Sequence, residues 1–367
     1  MEDRRKEMVS IEYTLKLILQ SVVNQTSLQL DSLCNLRCAD WNNLYKFSIT
    51  QGLTAIIYNQ LKPILDQLDI PADLRKQWRI HSLSIDQKMR HRNMICAEFA
   101  EMMSKMEIPV VALKGIAYAA YYPSPNLREC GDLDCYMMGK KEDGDKIAVD
   151  FGGQVECGGQ KHSHIIYKGL TIENHRYFTD FGNTDRGRYT ENLLQKLVAE
   201  RTAYIQDTRL LSPNPEFNAI FLIKHAQRHF LYEGIRMRHI TDWAFFLKAE
   251  QSNVNWEYVV PEMEKCGILS FAQLMTNVCI TTLGMDIRVK PLVTIPTQIN
   301  KLTDEFIDDI MGDQPEISDR NLLKLAKRII RRFYRMWKYR KIADEGYLTM
   351  IWNVYSFRSA SKRSLEL

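Results

Sequence analysis

The hydrophobic period of this chain changes twice, near residue 108 and again near residue 189, so helical segments must flank a region of short strands. Before residue 106 the apolar residues recur at helical spacing: Ile11, Leu15, Leu17, Ile18 and Val22, then Leu44, Phe47 and Ile49, then Ile56, Ile57 and Leu61. A long final stripe carries Leu74, Trp78, Ile80, Met89, Met94, Phe99 and Met103. Ser10 and Asp40 read as helix caps, Gly52 as a stop, and Thr54 and Pro71 as starts. From Ile108 the pattern shortens. Residues 108–113 form a buried strand, 116–121 a short helix and 132–137 an alternating strand; 140–149 is a helix broken by Gly152-Gly153. Residues 164–167 and 170–178 read as strands joined by a tight Lys168-Gly169 turn. Helical periods return at 215–230, 235–248, 256–266, 269–283, 297–311 and 320–342.

This order gives an α+β class: a small mixed β-sheet core inserted between N-terminal and C-terminal helical regions. The division expected is 1–106 helical, 107–185 mixed α/β core, and 186–367 helical, the last including a basic helix at 320–342. A chain of 367 residues with 45% hydrophobic residues has the means to build such cores. No run of about 20 apolar residues exists, so no membrane span is expected, and the charged N-terminus does not read as a signal peptide. Eight cysteines without a CxxC pair fit reduced thiols and a cytoplasmic protein.

The chemistry is concentrated in Leu113-Lys114-Gly115 and in Arg128-Glu129-Cys130-Gly131-Asp132-Leu133-Asp134. Side chains at i and i+2 of a strand share a face, with Cα atoms about 6.5–7 Å apart. Asp132 and Asp134 therefore converge, and oxygen ligands of this kind suit Mg²⁺ or Mn²⁺. Glu173 is the third candidate. Alternation places Thr171, Glu173 and His175 on one face of their strand, and a third carboxylate completes a two-metal arrangement. A pair of aspartates alone is more often a solvated strand edge or a turn. The order of elements around this pair is what sets it apart.

Leu113-Lys114-Gly115, then Arg128, Gly131-Asp132-Leu133-Asp134, then Glu173-Asn174-His175, resembles the uncharacterised bacterial nucleotidyltransferase family of the DNA polymerase β-like superfamily, over roughly residues 105–245. The resemblance implies a minimal nucleotidyltransferase sheet. It implies catalytic and metal-binding roles for Asp132, Asp134 and Glu173, with an NTP as substrate and an unidentified acceptor. Lys114, Gly115, Arg128 and Gly131 would contact the nucleotide, backbone N–H groups at the helix start adding to the anion site. One departure stands out: better-known members of the superfamily carry Gly-Ser in the phosphate loop, where this chain has Lys114-Gly115-Ile116 and no hydroxyl.

A second constellation runs Lys224-His225-Ala226-Gln227-Arg228-His229 and Arg236-Met237-Arg238-His239-Ile240-Thr241-Asp242. The resemblance implies nucleotide contacts from Lys224 and His225, and Asp242 orienting Arg238 at i,i+4. The plainer reading is a polar helix face and an intrahelical ion pair. His162 and His164 share a strand face, where they could bind a metal, approach the acceptor, or be structural. Residues 320–342 hold ten Lys/Arg and no acid, which fits either a docked helix with a solvated cationic face or a polyanion contact. The function expected is metal-dependent transfer of an NMP to an acceptor hydroxyl. The alternatives are a non-catalytic nucleotide- or RNA-binding protein, or a toxin-like transferase acting on tRNA or protein.

Overall fold

A computed structural model describes residues 2–30, 33, 36–157, 161–179, 184–200, 202–232, 234–311 and 342. The basic segment 320–342 lies outside the described residues except for Ile342.

The N-terminal region is helical: α1 (Glu2–Asn24), α2 (Cys38–Gln51), α3 (Thr54–Leu61) and α4 (Ala72–Lys105). α1 runs through Ser10, so that residue lies inside the helix rather than capping it. Asp40 stands at the third position of α2, where its Oδ2 accepts from the Arg37 backbone N–H at 2.8 Å. An acidic side chain reaching back in this way serves the same orphan donors as a cap. α2 stops at Gly52 and α4 follows Pro71, as expected. The buried stripe of α4 includes Leu74, Trp78, Ile85, Met89, Cys96, Phe99 and Met103.

The centre is one seven-stranded mixed sheet. Its strands and intervening helices are β1 (Val110–Ala112), α5 (Ile116–Ala119), β2 (Leu133–Tyr136), α6 (Lys141–Asp150), β3 (Gln154–Cys157), β4 (His162–Tyr167), β5 (Leu170–His175), α7 (Asp185–Glu200), β6 (Thr202–Tyr204) and β7 (Leu210–Pro213). The spatial order is β3-β4-β5-β2-β1-β7-β6. β1 is buried on both faces, which explains its unbroken apolar run. The β4–β5 hairpin turns at Lys168-Gly169, with φ of 49° and 78°. Two consecutive residues of positive φ make the two-residue turn that matches strand twist. The class is α+β with flanking helices, as the sequence indicated.

The sheet is larger than the sequence reading anticipated. β3, β6 and β7 were not foreseen, and the last two come from residues beyond 185. β7 pairs in parallel with β1, so the segment before the C-terminal helices completes the sheet on that side. Those helices are α8 (Pro215–Tyr232), α9 (Met237–Glu250), α10 (Trp256–Lys265) and α11 (Leu269–Thr281), followed by Lys290–Val293, Thr297–Asn300 and Thr303–Met311. Trp243, Phe245, Phe246, Phe271 and Phe306 are fully buried among them. Among the described residues no helix is long and apolar enough to cross a membrane.

Candidate active site

Register decides which side chains meet. β2 and β5 run parallel with Asp134 opposite Glu173, and β4 lies antiparallel to β5 with His164 opposite Glu173 and His162 opposite His175. Directly opposed residues share a face. One face of the sheet therefore carries Asp134, Glu173, His175, His162 and His164. Asp132, just before β2, joins them: carboxylate oxygens of Asp132, Asp134 and Glu173 lie within 4.8 Å of one another.

Asp134 is the hub and is 3% exposed. Lys114 Nζ lies 2.6 Å from its Oδ1, and His175 Nε2 lies 3.1 Å from the same oxygen. Burial opposes ionisation of Asp134, but Lys114 and His175 outweigh it and hold the carboxyl far below the usual range. His175 also approaches Glu173 at 3.4 Å, and its Nδ1 faces the Tyr177 carbonyl oxygen at 3.1 Å. Both ring nitrogens thus face oxygen acceptors, which only the imidazolium satisfies with two donors. Burial works against that charge, but the hydrogen bonds to Asp134 and Glu173 raise His175 above its ordinary value. Glu173 is lowered, first by its bond to His175. Asp132 is raised, by burial and then by the Asp134 charge beside it. Burial pushes His162 down to about 4, against the pull of Glu173. His162 and His164 are in contact through their Nε2 atoms, 2.9 Å apart.

Three carboxylates against one ammonium and one imidazolium leave the cluster an excess negative charge. The donor set, three carboxylates with hard oxygen atoms, fits a small divalent cation.

The loop before α5 is built for close approach. Gly115 has φ 58° and ψ −105°, and a β-carbon there would lie 3.3 Å from Arg92 Nη2 and 3.4 Å from the Asp132 carbonyl oxygen. Only glycine takes this conformation without strain. α5 is a single turn of four residues, so the anion-binding capacity expected at its start rests on loop N–H groups and Lys114 rather than on a helix dipole. Gly131 has open space where a side chain would sit, at the entrance to β2.

Arg128 takes a different partner from the one expected. Its Nε and Nη2 donate to Asp242 Oδ1 and Oδ2 at 2.7 and 2.8 Å, and its Nη1 donates to the Gly115 carbonyl at 3.2 Å. Both residues are 5% exposed. The Tyr122 hydroxyl donates to Asp242 Oδ1 at 2.6 Å. So Asp242 does not orient Arg238 by the i,i+4 pairing: a planar guanidinium on the neighbouring element offers the carboxylate two parallel donors. Arg238 instead donates to the Glu129 carbonyl at 3.0 Å. Arg128 and Asp242 pin the C-terminal helices to the loop and position Gly115. Lys224 bonds Gln227 of its own helix at 3.3 Å, and among the described residues no ion pair joins it to the carboxylates. His225 is held well below its ordinary value by burial and then by the Lys114 charge.

Arg92 of α4 was missed. It is 4% exposed, donates from Nη1 to Cys130 Sγ at 2.8 Å, and has no partner for Nε or Nη2 among the described residues. The signal was available: Arg92 falls between Met89 and Cys96 on the buried stripe, a place where arginine demands a reason.

The model of the uncharacterised nucleotidyltransferase family matches residues 37–284, and the chain belongs to that family. No curated protein and no solved structure matches it.

Proposed function

We propose that this protein transfers a nucleoside monophosphate from an NTP to an acceptor hydroxyl, with release of pyrophosphate. The observation that carries the reading is the convergence of Asp132, Asp134 and Glu173 beside Lys114. These carboxylates would hold Mg²⁺ or Mn²⁺, which when bound supplies charge neutralisation on the triphosphate and lowers the pKa of the attacking hydroxyl. Gly115 lets the loop backbone approach the phosphates, and Lys114, released from Asp134, turns its ammonium to them. Arg128 and Asp242 fix the loop from behind. The acceptor oxygen bonds to the α-phosphorus as the bond to the pyrophosphate oxygen breaks, and Glu173 would receive the acceptor's proton. Catalysis on this plan is positioning and electrostatics. The missing loop hydroxyl removes one phosphate contact but none of the charge.

The test is incubation with α-labelled ATP, GTP, CTP and UTP in lysate from the native source, with Mg²⁺ or Mn²⁺. Label should enter a product with the wild-type protein and not with Asp134→Ala. Absence of labelled product with every NTP and both metals would remove the transferase reading.

A further inference from the structure

We propose that His225, His229 and His239 form a second metal site, selective for a borderline transition cation such as Zn²⁺ and separate from the carboxylate cluster. His225 and His229 stand one helical turn apart on α8, a spacing that presents two imidazoles on one face. Neighbouring α9 supplies the third, and one nitrogen from each ring lies within 4.8 Å of the others. Ring centroids are 4.4 Å apart for His225–His229, 5.1 Å for His229–His239 and 6.2 Å for His225–His239. Zn–N bonds of about 2.0–2.1 Å at tetrahedral angles place imidazole centroids roughly 5 Å apart, so small side-chain adjustments close the set.

The surroundings favour the ligand state. A neutral imidazole is what a metal binds. His239 Nδ1 accepts from the Arg236 backbone N–H at 3.1 Å and lies 3.2 Å from the Arg236 carbonyl oxygen at the start of α9. These contacts fix the ring, and metal binding at Nε2 would take the tautomer that donates from Nδ1 to the carbonyl, the outer bond typical of metal-bound histidine. Nitrogen-only donors select Zn²⁺, Co²⁺ or Ni²⁺ over Mg²⁺, so the two clusters take different cations. Three protein ligands leave one coordination position open. The site would also tie α8 to α9, the helices that carry His225 and Asp242.

Co²⁺ titration of the full-length protein, without nucleotide, reads this site through the visible absorption of tetrahedral cobalt, with Zn²⁺ competition as the second readout. The wild type should bind one equivalent. His229→Gln and His239→Gln should each weaken binding more than about tenfold, the least that loss of even an outer hydrogen bond costs such sites, with near-UV circular dichroism confirming that each folds. His225→Gln replaces either variant that does not fold. Asp132→Asn/Asp134→Asn and His162→Gln/His164→Gln should leave the spectrum unchanged. A wild type without the cobalt band, a band that survives the α8 and α9 variants, or one abolished by His162→Gln/His164→Gln would overturn the proposal. Because no nucleotide is present, these outcomes are independent of whether the carboxylates support transfer.

Discussion

Asp242→Ala should destabilise the protein by about 3–5 kcal/mol, the cost of leaving a buried charge without its partner. The structure supports the upper part of that range. Arg128 and Asp242 side chains are each 6% exposed, so water cannot replace the lost carboxylate without opening the core. The substitution strands two donors of Arg128 and the Tyr122 hydroxyl together. Asp242→Asn, which keeps one acceptor but no charge, should cost less. Arg128→Met/Asp242→Leu should recover much of the loss, because an apolar pair of similar volume carries no desolvation penalty. The pH dependence has a definite sign. Burial raises Asp242, but Arg128 lowers it further, so its folded value lies below the ordinary one. Its contribution is then complete above about pH 3.9, the usual aspartate value, and disappears as pH falls through the folded value. Urea denaturation of the three variants at neutral pH, and of wild type and Asp242→Asn across the acid range, measures both effects. A loss below about 1 kcal/mol for Asp242→Ala, within the range of an exposed pair, would refute the reasoning. So would a double variant no more stable than the single one.

Other consequences follow from the same geometry. Asp132→Asn should relieve like-charge repulsion and leave the metal-free protein as stable or up to about 1 kcal/mol more stable, while transfer falls at least about 100-fold; thermal melting beside label transfer reads the pair. Arg92→Met removes a buried cation that has no counter-charge among the described residues, so urea unfolding midpoints should hold or rise. Gly153→Ala should cost roughly 1–3 kcal/mol, read by urea denaturation, because its β-carbon would stand 2.7 Å from the Ala148 carbonyl oxygen, which the end of α6 holds in place.

The fold was legible where a segment buries one continuous stripe. α4, β1 and the β4–β5 hairpin announce themselves through period and turn chemistry. β3 was hidden because Gln154-Val155-Glu156-Cys157 is an edge strand with little apolar content. β6 and β7 were hidden because three- and four-residue strands carry too few alternations, and β7 joins the sheet only through a long-range pairing with β1 while β6 pairs with β7. In the site, the spacing of Asp132 and Asp134 was readable from strand geometry, and the face shared by Glu173 and His175 followed from alternation. What brought those faces together is the register of β2 with β5, which local pattern does not encode. The same limit explains Asp242. Its local partner at i,i+4 was Arg238, whereas the partner in space is Arg128, 114 residues away. His239, the third histidine of the α8–α9 cluster, was likewise invisible until two helices were packed.

Binding of Mn²⁺, followed by its electron paramagnetic resonance signal in the presence of a non-hydrolysable NTP, tests the carboxylate site most directly. The account predicts saturable Mn²⁺ binding that strengthens with the nucleotide and is lost in Asp132→Asn, Asp134→Asn and Glu173→Gln, but retained in His229→Gln. Binding that is unaffected by all three carboxylate substitutions would contradict it.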